Sequence, residues 1–227
     1  MSTGNLIRWA GVAAIVAGLC YVVVGLFHPP NVASSVSTTT WAIVHTVAVA
    51  MCFFGLLGLT GLYARQVKVA GPLGLAGYLL LSLWLVLIAG FTFTEVFILP
   101  LMATAAPQFV ESWMGMLNGS ASPMDLGAMP MVWTLTAPLY MLGGLLFGIA
   151  TIRAGILPRW AGGLLALGTV LAPVAALLPL ALQPKMAAPV GLALAWLGYA
   201  LLTERRERAA QPGPARVSPQ LSQTAAR

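Results

Sequence analysis

The sequence predicts an all-α bundle of six transmembrane helices, and three observations carry that prediction. Charged residues make up 7% of the 227 and hydrophobic types 59%, with mean hydropathy at +0.92. A water-soluble domain carries about 25% charged residues, so this chain lacks the means to keep its surface in water. Six stretches near the roughly 20 apolar residues of a helical crossing follow one another along it. None alternates apolar and polar residues as barrel strands do. Together these exclude a soluble enzyme, a nucleic-acid-binding module and a disordered regulator as whole-chain readings.

The predicted spans are residues 6–27, 41–63, 72–99, 130–152, 158–182 and 187–203, and together 1–203 form one membrane domain. The first has too long an apolar core for a signal peptide. It ends in Phe27-His28-Pro29-Pro30 with no small-residue cleavage site, so it is expected to be retained. The third is long enough to tilt or project from the bilayer. Proline opens the third and fifth, a favoured first helical position. Pro138 and Pro173 lie inside the fourth and fifth, where each frees the carbonyl four residues back, at Thr134 and Thr169.

Lys and Arg set the orientation. Arg8, Arg65, Lys68, Arg153, Arg159, Arg205, Arg206, Arg208, Arg216 and Arg227 all fall on one side if six helices alternate, and Lys185 alone falls on the other. Both termini are therefore expected on the cytoplasmic side of a bacterial inner membrane. The net charge of +6 is spent on this asymmetry, so no nucleic-acid partner is expected. Residues 204–227 read as a disordered basic tail. Its Glu204–Arg208 cluster can touch anionic lipid or simply stop transfer. The bilayer is the expected partner, and a homo-oligomer or larger complex is open.

The segment 100–129 is the one long outer connection. Within it Phe109, Val110, Trp113, Met114 and Leu117 share a helical face, which fits a short helix on the membrane surface or a lid over a cavity. Glycines recur at contact spacing: Gly144 and Gly148, then Gly55, Gly58 and Gly61, then Gly71, Gly74 and Gly77. Small residues let membrane helices approach closely, and packing within the monomer is the expected use. A shift of 86 residues lays Gly58 on Gly144, Pro72 on Pro158 and Gly77 on Gly163, a repeat that chance explains as well as duplication. Cys20 and Cys52 lie in apolar runs, not in a disulfide framework.

Ionisable groups inside a membrane are rare and mark function by default. Glu95 is the one acid in an apolar run, and the chain has two histidines, His28 and His45. His28 ends the first span, His45 lies a turn into the second, and Glu95 about a turn from the end of the third. Each is within roughly 6 Å of the outer boundary. Helical spacing aligns Trp84, Phe91 and Thr92 with Glu95, and Trp41 and Cys52 with His45. Thr94, Thr134, Thr136 and Tyr140 can add hydroxyls, and Asp125 can fold back from the loop.

The expected site is an outward-facing one of Glu95, His28, His45, Trp41, Trp84, Phe91 and Thr92. It suits a small lipophilic or organic ligand, with a proton moving at the carboxyl. No catalytic residue and no cofactor go with that reading. Two alternatives stand beside it. His28, His45 and Glu95 have the types to hold zinc with one open position or non-haem iron, and two histidines can ligate haem. Equally, the pair can be structural glue in an accessory subunit with no site. A retinal Schiff base is excluded because Lys68 and Lys185 lie in loops.

The order of landmarks is Phe27-His28-Pro29, Trp41-Ala-Ile-Val-His45, Gly61-Leu-Tyr-Ala-Arg-Gln66, Gly71-Pro-Leu-Gly-Leu-Ala-Gly77, Glu95-Val-Phe-Ile-Leu-Pro100 and Arg153-Ala-Gly-Ile-Leu-Pro-Arg-Trp160. It resembles bacterial six-span integral membrane proteins of the domain-of-unknown-function type, over roughly residues 5–203. The resemblance implies a prokaryotic cytoplasmic membrane and no particular activity.

Overall fold

The computed structural model describes residues 3–175, 177–179 and 182–210. Among them the fold is helical throughout, with no strand. Four helical stretches are long and apolar enough to cross a membrane: Gly4–Phe27, Thr39–Ala105, Met129–Ala154 and Pro184–Thr203.

Helix α1 spans Thr3–Phe27 and stops at Pro29 and Pro30. Helix α2 spans Thr39–Phe93 and takes in two of the predicted spans. It opens on Thr38, whose hydroxyl accepts a hydrogen bond from the Trp41 N–H at 3.2 Å, a favoured N-cap arrangement. At Gly71 the backbone turns to φ 60°, ψ −165°, a region that essentially only glycine enters. Pro72 then starts the second arm without needing a donor. The two arms run antiparallel. Tyr63 stacks on Tyr78 at 4.7 Å between ring centroids, Thr60 Oγ1 lies 3.2 Å from Tyr78 Oη, and Trp41 reaches Glu95. The predicted basic turn is thus helical through Ala70, and the reversal is one residue.

Past Phe93 the chain widens into a π turn, Thr94–Ile98, and continues as α3, Leu99–Ala105. It bends at Ala106 into α4, Pro107–Asn118, capped by Gly119 at φ 67°. The predicted long connection is therefore largely helical. Helix α5 spans Met129–Ala154 and keeps Pro138 inside it.

Helix α6 spans only Arg159–Val170. At roughly 1.5 Å per residue it covers about 18 Å, short of the roughly 30 Å hydrocarbon core. The predicted helix to 182 is broken because Pro173 has no N–H for the Thr169 carbonyl and crowds it. The Thr169 hydroxyl turns back to Leu165 O and Ala166 O, each at 3.0 Å. Helix α7, Ala172–Ala175, is one turn. A 3-10 turn at Pro184–Ala187 leads into α8, Ala188–Ala210. The predicted tail thus begins as helix, since Glu, Arg and Ala are good helix formers. Residues 211–227 of that tail lie outside the described residues.

Glycine contacts join these pieces into a ring. Gly58 meets the Ala14 backbone and Gly61 meets Ala10, which seats the first arm of α2 on α1. Gly77 meets Phe147 and Gly143 meets Leu81, which seats the second arm on α5. Gly144 meets Thr169 and Gly148 meets Gly162, joining α5 to α6, and Gly168 meets Val190 on α8. Gly18 faces Gly191, and Gly11 faces Gly198, so α8 closes back on α1. The glycines serve packing inside the monomer, as close approach requires. Gly77 and Gly163, equated by the 86-residue shift, differ in their contacts. Gly77 is pressed on backbone, while a side chain at Gly163 would meet only Ile152 Cδ1 at 3.8 Å.

Two apolar clusters fill the ring. The larger holds Cys52, Leu62, Trp84, Phe147 and Leu197. The smaller, at the α4 end, holds Val36, Trp41, Phe91, Leu99, Val110 and Trp113.

Candidate functional site

Glu95 owes its setting to a proline five residues on. The Leu99 N–H reaches back to Thr94 O, the long hydrogen bond of a π turn, and Pro100 has no N–H to offer Glu95 O. The Glu95 carbonyl accepts instead from Trp41 Nε1 across the hairpin at 2.7 Å. One bond thereby ties the two arms of α2 at the turn that carries the acid. Single π turns inside α-helices are frequent at functional sites. The Glu95 residue is 6% exposed and His45 1%.

The His45 ring stacks on Trp41, centroids 4.0 Å apart, and its Nδ1 lies 2.8 Å from Trp41 O. A carbonyl only accepts, so Nδ1 carries hydrogen. That leaves Nε2 pointing at Glu95 Oε2, 3.4 Å away, with no hydrogen bond closed in this geometry. Two bare acceptors facing one another in a buried site are strongly unfavourable. One proton therefore belongs between them, carried either by the carboxyl or by the imidazole. Either way the pair is neutral overall.

His28, just past the end of α1, brings its ring to 5.1 Å from His45 and 6.5 Å from Trp41. Its Nδ1 is 2.7 Å from Pro29 O. Burial lowers its pKa from the ordinary value, and the Pro29 bond opposes this, so the neutral ring is favoured. The three ionisable side chains placed at one depth by the sequence do meet, in the order His28, His45, Glu95.

Helix α4 packs over Phe91 and Glu95. Its Val110, Ser112, Trp113, Met114 and Met116 are buried, and Glu111 is exposed. Trp113 packs on Phe91 at 5.6 Å, and Trp133 of α5 closes the other side of Phe91 at 5.2 Å. The Trp113 indole N–H interacts with the Glu95 carboxyl yet closes no hydrogen bond to it. One polar bond ties α4 to the chain past α1, and another ties it to its own following loop. Asn118 Nδ2 donates to Asn31 O at 2.8 Å, and Ser112 Oγ accepts from Met124 N–H at 2.9 Å.

Other predicted members lie elsewhere. Trp84 packs between Tyr21 and Tyr140, at 6.2 and 4.7 Å, and lines an apolar cavity of about 30 Å³ in the larger cluster. Its eleven-residue separation from Glu95 is about 16 Å along a helix, so a shared face did not mean a shared depth. Tyr140 belongs to that deeper cavity as well. Thr92 is buried, but its hydroxyl bonds Ile88 O at 2.9 Å and is spent on its own helix. Asp125 stays exposed, where its Oδ1 accepts from the Gly127 N–H at 2.8 Å. Among the described residues no group of three His, Cys, Asp or Glu is arranged to hold a metal ion.

Three residues escaped the sequence reading of the site. Trp113 and Trp133 reach it from other helices, and Pro100 shapes it through the backbone. The Glu-x-x-x-x-Pro spacing was the available signal for the last. No protein-family model, curated protein or solved structure matches this chain.

Proposed function

We propose that this chain is a six-span protein of a bacterial cytoplasmic membrane, with both termini on the cytoplasmic side. Its function is to bind a small lipophilic or organic ligand at an outward-facing site of Glu95, His45 and His28, with a proton exchanged on binding. Supporting the topology are ten basic residues assigned to one side and the antiparallel arms of α2. The observation that carries the function is the 3.4 Å approach of His45 Nε2 to Glu95 Oε2 in a buried site. Structural glue needs no such unclosed contact, and two unpartnered polar atoms, His45 Nε2 and Trp113 Nε1, converge on one carboxyl.

The test is probe binding to the detergent-purified protein, followed by quenching of tryptophan fluorescence. A short-chain quinone and benzyltrimethylammonium serve as neutral and charged probes. At least one should bind saturably to the wild type and change the pH of a weakly buffered solution. Glu95→Gln should remove the pH change. Absence of binding by both, or equal behaviour of wild type and Glu95→Gln, would leave an accessory subunit as the better reading.

A further inference from the structure

We infer that the ligand is a lipophilic organic cation, an amine or quaternary onium with an apolar body, which takes the place of the proton between Glu95 and His45. This deepens the proposed function and rests on it. The first ground is charge. Each element packed around Glu95 can be searched for a partner to the carboxylate. The first arm of α2 offers His45, and the end of α1 offers His28. Helix α4 offers Trp113 and turns Glu111 outward, and α5 offers Trp133 and Thr136, whose hydroxyl is spent on Trp133 O at 2.6 Å. Asp125 is exposed on its loop. Among the described residues these elements bring no lysine or arginine to Glu95, and Lys185, in the 3-10 turn packed near Gly25 of α1, is exposed. A carboxylate here is neutralised by a proton or by a cation that arrives from outside, because an unpaired buried charge is very costly.

The second ground is the rings. Trp41, Phe91, Trp113 and Trp133 gather at this end of the bundle, with His28 and His45 beside them. Aromatic faces attract cations, and cages of them are how quaternary ammonium groups are recognised. The same faces and the acid disfavour an anion. The third ground is the unpartnered Trp113 N–H, a donor that suits a carboxylate once the proton has gone.

The exchange balances. Before binding, the Glu95–His45 pair holds one proton and is neutral. Afterwards Glu95 is a carboxylate, His45 is a neutral ring, and the cation restores neutrality. One proton passes to water for each cation bound. Entry requires α4 to move, releasing the Asn118–Asn31 bond.

Benzyltrimethylammonium and neopentylbenzene have the same shape and differ by the charge. Calorimetry on the full chain in detergent, in two buffers of different ionisation enthalpy, counts protons released. The cation should bind with one proton released, and its affinity should fall by up to about tenfold for each pH unit downward where the pair is protonated. Neopentylbenzene should bind far more weakly and release none. Glu95→Gln should lose both cation binding and proton release. Glu95→Asp, which keeps the charge should the amide disturb folding, should retain proton release with weaker binding. Equal binding of the two probes, or cation binding without a proton, overturns the inference. Binding of a short-chain quinone that depends on Glu95, with none of the cation, would overturn it while leaving the proposed function standing. Silence from every probe would remove both.

Discussion

At the residue scale, the Trp41 indole and the Glu95 backbone form the contact with most at stake. The helical donor to Glu95 O, the Leu99 N–H, is spent on Thr94 O, Pro100 has none to offer, and Trp41 Nε1 replaces it at 2.7 Å. Trp41→Phe keeps the ring and removes only the donor. It should cost about 1–3 kcal/mol, the penalty for stranding a buried polar group, read as a lowered melting temperature in detergent. Glu95, His28, His45 and Trp41 were legible from the sequence because ionisable groups stand out in apolar runs and depth follows from counting residues. Trp84 was placed by helical face and not by depth. A helical face repeats along the whole helix, so facing the right way says nothing of height. Trp113 was seen on an apolar face, but amphipathy does not say whether that face meets lipid or protein.

At the element scale, Gly71 and Pro173 decide how many helices the chain has. A Cβ at Gly71 would meet nothing within 4 Å, so the cost of Gly71→Ala is conformational rather than steric. At φ 60°, ψ −165° that cost is about 1–3 kcal/mol, and it should fall on the pairing of the two α2 arms. Hydrogen exchange around Tyr63 and Tyr78 would show it as lost protection, with Trp41 and the α4 end less affected. The reversal was readable as a basic, glycine-containing turn, but its tightness was not, because Arg65 and Lys68 also suit a helix. Pro173 was read as a kink in a continuous span. Its effect is a stop, since its ring crowds the Thr169 carbonyl and offers it no N–H.

At the scale of the whole molecule, the ring of α1, the two arms of α2, α5, α6 and α8 is held by close approaches at glycine. Such contacts need no charge and little side-chain ordering, which suits a chain with 24 glycines and five acids. The predicted orientation has a direct check. Single cysteines at Ser122 and Gln211, in a background with Cys20 and Cys52 replaced, can be exposed to a membrane-impermeant maleimide on intact cells. The Ser122 thiol should react and the Gln211 thiol should not until the membrane is opened. Reaction of both, or of Gln211 alone, would contradict the topology. Helical class and long apolar spans followed from composition and run length. The closure of the ring did not, because it depends on which small residues face one another across different helices.

The π turn at Thr94–Ile98 has a consequence beyond its freed carbonyl. One extra residue in a helical turn advances the phase of everything after it by about 100°. Helices α3 and α4 therefore owe their azimuth over Glu95 to a single-residue offset. The acid and its cover are not two features that came together separately. The irregularity that aims one also swings the other into place, and a chain shortened by one residue there would lose both at once.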